Sequence, residues 1–298
     1  MRRGFRLVLV LSCILVITFL YQQLDFSSSP KNSRTYLDSR VINDLRGCLG
    51  RLNPEERLDF FVTSLVTCLQ MLPKLRFFKS QKNRFNEAKV FFPLNRYFNQ
   101  SSCTWLTIGI GGSTSIEKEF KKKYPKCKIY GIEASEDQFA DFDKIGKVIP
   151  YGVGVEAGNF VVTLRDHELT GQDPSYEKNI TLHPFSEILD EYVGQRLVHF
   201  VTIDLEGFEY SILEELMTNG GKLSRQGIVF CQIDAELHYF NEEHAAALRR
   251  LMKTVSKYDS DYIPVDHSWY MGIHHKITFV NFGNRECRRA FDIRKLFD

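Results

Sequence analysis

Apolar and polar positions along this 298-residue chain fall into three regimes. Residues 7–21 form a run without charge, with Arg2, Arg3 and Arg6 on its N-terminal side. From about residue 40 to 98 the apolar residues recur at helical spacing. A helix starting at Pro54-Glu55-Glu56 carries Leu58, Phe61, Val62, Leu65, Leu69 and Leu72 as one stripe and stops before Pro73, and that stripe reads as packing surface. Beyond residue 99, short β-branched apolar runs alternate with amphipathic segments. Strands are predicted over 105–110, 128–132, 148–151, 159–164, 198–205, 227–233 and 276–282. Helices are predicted from Ser113 or Thr114 through Tyr124 and over 184–192, 210–217 and 242–255. The polar stretch 165–182 reads as a long loop, and a helix and a turn at Pro264 precede the last strand. This alternation implies an α/β fold, with a mostly parallel sheet covered by helices on both faces.

The N-terminal run changes the picture of the whole chain. Basic residues on its leading flank place a cytosolic tail at 1–6, a signal-anchor transmembrane helix at 7–24 and, through Ser27-Ser28-Ser29-Pro30, a stem at 25–39. A cleaved signal peptide shares the pattern, but no small-x-small cleavage site follows. The expectation is a single-pass type II membrane protein of the Golgi or endoplasmic reticulum with a lumenal body; cleavage would make it secreted. Two N-glycosylation sequons, Asn99-Gln100-Ser101 and Asn179-Ile180-Thr181, agree with that side of the membrane and with a glycoprotein. Of the seven cysteines, Cys13 lies in the anchor and the remaining six permit disulfides of undetermined connectivity. Cys231, in an apolar run, reads equally well as a buried free thiol. No close C-x-x-C pairing suggests zinc. A net charge of +2 is silent on nucleic acid, and no basic cluster interleaved with aromatics is present, so no nucleic-acid partner is expected.

Chemistry concentrates in two blocks. In TWLTIGIGGSTSIEKEFKKKYPKCKIYGIE, from Thr104 to Glu133, a buried strand runs into a turn of Gly109, Gly111 and Gly112, then a helix, then a second strand ending at Glu133. The glycines allow a tight turn and close approach of a ligand, and the terminal acid can accept hydrogen bonds from ribose hydroxyls, as in the first half of a nucleoside-binding unit. In the second block, VHFVTIDLEGFEYSIL, an apolar strand ends at Asp204, Glu206 and Gly207. An unpaired carboxylate is costly inside a sheet, so Asp204 should emerge at the rim where open α/β sheets bind ligands, beside Glu133. Glu209, at the start of the next helix, suits the helix dipole.

The pair IGIGG and IDLEGFEYSIL, with FCQIDAELH and HHKITFVN downstream, resembles the FkbM-type S-adenosylmethionine-dependent methyltransferases, in the branch expanded in nematodes. The resemblance covers about residues 103–287 and implies a Rossmann-like methyltransferase fold with an antiparallel last strand, preceded by the helical extension 40–98, the whole domain spanning 99–298. It implies transfer of a methyl group from S-adenosylmethionine to an oxygen of a small-molecule or glycan acceptor. Gly109 and Gly111 would approach the methionine part of the cofactor, Glu133 would hold its ribose, and Asp204 would sit near the transferred methyl. The chain departs from the wider pattern at Thr107, where many methyltransferases carry an acid.

Methyl transfer to a hydroxyl needs a base within hydrogen-bond reach. Asp204, Glu206, Glu236 and His238 qualify by position, each at or past a predicted strand end; Asp204, Glu206 and His238 are the catalytic candidates. His238 could titrate near neutrality, and Glu206 could instead hold amides of the Gly207 turn. His274 and His275 could line the acceptor pocket, although surface placement is the simpler expectation. Asp204, Glu206 and Asp234 could offer oxygen ligands to magnesium or calcium, but no spacing demands a metal and none is assigned. Two other readings stay open: a methyltransferase-like binding domain without activity, and a type II Golgi glycosyltransferase using Asp141-Phe142-Asp143 or Asp259-Ser260-Asp261.

Overall fold

Most of the apolar runs beyond residue 99 are strands of one sheet in the structure, a computed structural model that describes residues 40–293 apart from 74, 76, 84, 85, 166–174 and 292. The predicted tail, anchor and stem lie outside the described residues. Among the described residues, no helix is long and apolar enough to cross a membrane.

In chain order the extension contributes α1 (Arg40–Leu49), α2 (Leu58–Leu69) and two short paired strands, β1 (Phe78–Lys79) and β2 (Val90–Phe91). There follow β3 (Thr104–Ile108), α3 (Ser115–Lys123), β4 (Lys128–Ile132), β5 (Lys147–Ile149), β6 (Gly152–Gly154), β7 (Gly158–Arg165) and β8 (Ser175–Pro184). The chain continues through α4 (Phe185–Ile188), β9 (Leu197–Ile203), α5 (Glu209–Met217), α6 (Lys222–Arg225), β10 (Val229–Leu237), α7 (Glu242–Ser256), β11 (Tyr262–Tyr270), β12 (His274–Asn281) and α8 (Arg285–Phe291). The main sheet has the order β11-β12-β10-β9-β3-β4-β5. β5, β4, β3, β9 and β10 are mutually parallel, and β12 runs antiparallel to β10, so the mostly parallel sheet with an antiparallel last strand is present. β3 and β9 flank each other at its centre, which is why both are buried along their whole apolar length.

Two segments differ from their sequence reading. Part of the expected loop 165–182 is strand: β8 pairs antiparallel with β7 and parallel with β6 in a separate three-stranded sheet. The polar residues of this hairpin hid it, because one of its faces is solvent-exposed, Asn179 included. The expected turn at Pro264 lies inside β11. That strand tolerates proline because it forms the sheet edge and carries a bulge between Pro264 and Asp266.

The extension is helical only as far as Leu69, and it is fastened by polar groups. From β10, Gln232 accepts from the Phe92 amide at 2.6 Å and donates to the Val90 carbonyl at 2.7 Å, while Asp234 accepts from the Val90 amide at 2.9 Å. Below it, Phe91, Trp105, Phe120 and Phe200 pack edge-on or tilted with ring centroids 4.4–5.8 Å apart. All six cysteines outside the predicted anchor are paired, as Cys48–Cys68, Cys103–Cys127 and Cys231–Cys287. Cys231 is therefore a disulfide partner and not a free thiol.

Candidate active site

Gly109 leaves β3 at φ +83°, and its α-carbon presses against the Asp204 carbonyl at the end of β9, leaving no room for a side chain. Gly111 and Gly112 continue the turn at φ +62° and +69°, and a Cβ at Gly111 would meet only open space. Glu133, just past β4, braces this turn from the side. Its carboxylate accepts from the amides of Ile110 (3.1 Å) and Gly111 (3.4 Å) through one oxygen and of Ser135 (3.0 Å) through the other. Burial pushes the Glu133 carboxyl up, against the opposing pull of those amides. Thr114 does not cap α3 with its side chain; it donates to Asp141.

Gly109, Glu133, Asp204 and Glu206 line one cavity at the carboxyl edge of the sheet. Its far wall comes from the three-stranded sheet, through Val153, Val162, Ile180 and Leu182. The expected convergence of Glu133 and Asp204 on one rim is thus present, with an apolar wall the sequence did not reveal.

A second cluster abuts it. His238, just past β10, is buried, with Nδ1 3.1 Å from Glu209 Oε1. Glu209 is fully buried and also accepts from the amides of His238 (2.8 Å) and Gly207 (2.9 Å). Glu209 therefore holds the Gly207 amide and fixes His238 through both its amide and its ring. The other imidazole nitrogen, Nε2, faces Glu206 at 3.4 Å, Glu236 at 3.5 Å and Asp204 at 3.6 Å. Burial would lower the basicity of His238, but the hydrogen bond to Glu209 and the charges of Asp204, Glu209 and Glu206 outweigh it and push the imidazole up to about 10. The direction is away from the near-neutral titration that its position past a strand end suggested. Asp204 and Glu206 are each partly open to solvent, within reach of an acceptor hydroxyl on the cavity side. Burial and the Asp204 charge push Glu236 up to about 8.

The remaining expectations sort by geometry. Asp234 is spent on Val90 and does not join the rim. His274 and His275 are buried rather than on the surface: His274 accepts from the Tyr239 amide and packs 4.7 Å from the His238 ring, while His275 lies 3.4 Å from His267. Asp141 pairs with Lys118 at 2.6 Å, and Asp261 faces Arg46, which also binds the carbonyls of Tyr258 and Ser260. In each Asp-x-Asp pair at least one carboxylate is thus engaged by a neighbouring cation. Missed altogether was a charged stratum beneath the rim, where Glu87 bridges Lys89 (2.9 Å) and Lys276 (2.6 Å). Nearby, Thr107 donates to the buried Glu117 at 3.0 Å. Thr107 and Glu117 are ten residues apart on a strand and a helix, and they meet only because α3 folds over β3.

A family model described as the methyltransferase FkbM domain matches residues 74–262. No curated protein matches. Among solved structures, a fibrillarin/Nop5p complex is similar at 12% identity over 63% of this chain and 77% of that one, with a TM-score of 0.33. A Methanococcus jannaschii fibrillarin pre-rRNA processing protein is similar at 10% identity over 71% and 84%, also with a TM-score of 0.33. A likeness this loose carries no argument about the chain.

Proposed function

Because the chain belongs to the methyltransferase FkbM domain family, we propose that it is an S-adenosylmethionine-dependent O-methyltransferase acting on a hydroxyl acceptor, with a glycan as the favoured class. The observation that carries this reading is the meeting of the glycine turn, Glu133 and Asp204 around one cavity at the carboxyl edge of the sheet. The residues fit the cofactor. Gly111 opens onto unfilled space, and backbone amides fix the Glu133 carboxylate at the cavity wall, where it can face a ribose hydroxyl. Val153, Val162, Ile180 and Leu182 offer apolar surface. When bound, the cofactor supplies an electrophilic methyl group. The chain's own part is to align the acceptor and take its proton. Asp204 Oδ1 or Glu206 Oε2 accepts that proton; His238, fixed by Glu209, stands between the two carboxylates.

The glycan preference rests on a groove that begins at Tyr239, next to His238. It includes Trp269, half exposed, together with Glu55, Glu242 and Arg249. An exposed indole flanked by carboxylates suits the apolar face and hydroxyl edge of a sugar ring. Three disulfides support a domain working in an oxidising compartment, and Asn99 and Asn179 are both exposed. Anchorage through residues 7–24 with the domain in the secretory lumen belongs to the same proposal.

The test is calorimetric titration of S-adenosylmethionine and S-adenosylhomocysteine into the purified chain and its Glu133→Ala variant. Micromolar binding that the variant loses supports the proposal. Absence of heat from a chain shown to be folded sinks it and leaves a binding domain without cofactor.

A further inference from the structure

We propose that Asp204, Glu236 and His238 form a binding site for one divalent transition-metal ion, of the manganese-to-zinc class, on the acceptor side of the cavity. Single ligand atoms from these three residues lie within 4.8 Å of one another. The decisive geometry is at His238 Nε2. Glu206 Oε2, Glu236 Oε1 and Asp204 Oδ1 surround it at 3.4, 3.5 and 3.6 Å. These separations are longer than an N–H···O hydrogen bond, about 2.7–3.2 Å. They are close to the edge of a coordination shell, since ligand bonds of about 2.1 Å set neighbouring donor atoms roughly 3.0–3.4 Å apart. Asp204 Oδ1, Glu236 Oε1 and His238 Nε2 would close inward on one ion from separations of no more than 4.8 Å.

The surroundings are those of a metal ligand. Glu209, fully buried, takes Nδ1 of His238 at 3.1 Å and so turns Nε2 toward the cluster, the carboxylate–histidine arrangement that orients ligating imidazoles. Independently of the cluster, Glu236 is 3% exposed and its Oε2 has no hydrogen-bond partner; the nearest cation is Lys276 Nζ at 3.6 Å. The other oxygen, Oε1, faces His238 Nε2 at 3.5 Å, and an ion between the two would hold this buried carboxylate from the rim side. One imidazole nitrogen among carboxylate oxygens selects manganese, iron or zinc over calcium or magnesium, which take oxygen shells. The ion's place beside the acceptor hydroxyl rests on the methyltransferase reading; its binding does not.

The test titrates MnCl2, and separately ZnCl2, into chelator-treated full-length chain by calorimetry, with electron spin-echo detection of 14N coupling for Mn2+. Wild type should bind one ion with micromolar affinity and show an imidazole nitrogen coupling. His238→Gln and Asp204→Asn should each weaken binding by at least tenfold, and His238→Gln should remove the coupling. Asp204 is partly exposed, so its variant keeps the test open if the His238 variant fails to fold. No saturable binding by the folded chain, or binding that Asp204→Asn leaves unchanged, overturns the proposal. S-Adenosylmethionine binding measured on the same samples separates this outcome from failure of the enzyme reading.

Discussion

Glu117 keeps its proton up to about neutral pH in the folded chain, and its removal should flatten the pH dependence of stability. Its carboxyl is completely buried behind β3, and burial, only partly offset by the charge of Lys89 and the hydrogen bond from Thr107, pushes it from 4.5 to about 7. In the unfolded chain the same carboxyl ionises in the ordinary range. Between the two values the unfolded state releases a proton that the folded state keeps, so raising the pH favours unfolding across this window. At about 1.4 kcal/mol per pH unit, the rise amounts to about 3 kcal/mol of stability present below pH 4.5 and lost above pH 7. Glu117→Gln keeps the acceptor for Thr107 but cannot ionise. Its amide would stand where Oε2 now has no hydrogen-bond partner, which costs about 1–2 kcal/mol at every pH. The variant should thus be the less stable protein at pH 5 and the more stable one at pH 8.5. Urea denaturation at several pH values reads the difference directly, because the other titrating groups are common to both chains. Parallel stability–pH curves would refute the reasoning, since they would mean Glu117 is already ionised in the fold.

Two further outcomes follow from backbone and covalent geometry. Gly109→Ala would drive a methyl group into the Asp204 carbonyl at a positive φ, whereas Gly111→Ala faces open space and bears only the conformational cost, about 1–2 kcal/mol; thermal unfolding should show the first well below the second, and equal losses would contradict the close approach. The Cys231–Cys287 bridge spans 56 residues, so replacing both cysteines by serine should destabilise the chain by about 4 kcal/mol in the loop-entropy account; an unchanged denaturation midpoint would show that the unfolded chain gains no freedom from the cut.

What was legible in the sequence was what strand ends enforce locally. Glu133 and Asp204 each close an apolar run, and burying either inside the sheet would be costly, so both could be put on the rim before any coordinates. The same logic over-reached at Asp234 and Glu236. Both lie within β10, where the sequence offered no reason to bury acids, because their partners are 144 residues away at Val90 and 40 residues away at Lys276. Chain-distant pairing also hid Glu209, whose spacing in ID-x-EG-x-E was visible but whose partner was not. Judged alone, a histidine past a strand end suggests a base near neutrality; in the fold its ring lies within 3.6 Å of Asp204, Glu206, Glu209 and Glu236, the first three of which raise it against burial. A rim that gathers four acidic side chains around one imidazole carries desolvation costs that the Glu209 hydrogen bonds and the Lys276 contact with Glu236 only partly offset. The arrangement makes physical sense if something positive arrives at it during function: the sulfonium on the Glu133 side, a metal ion on the His238 side, or both in turn. Cofactor and metal titrations on the same chain distinguish these, and whichever fails removes the corresponding half of the argument.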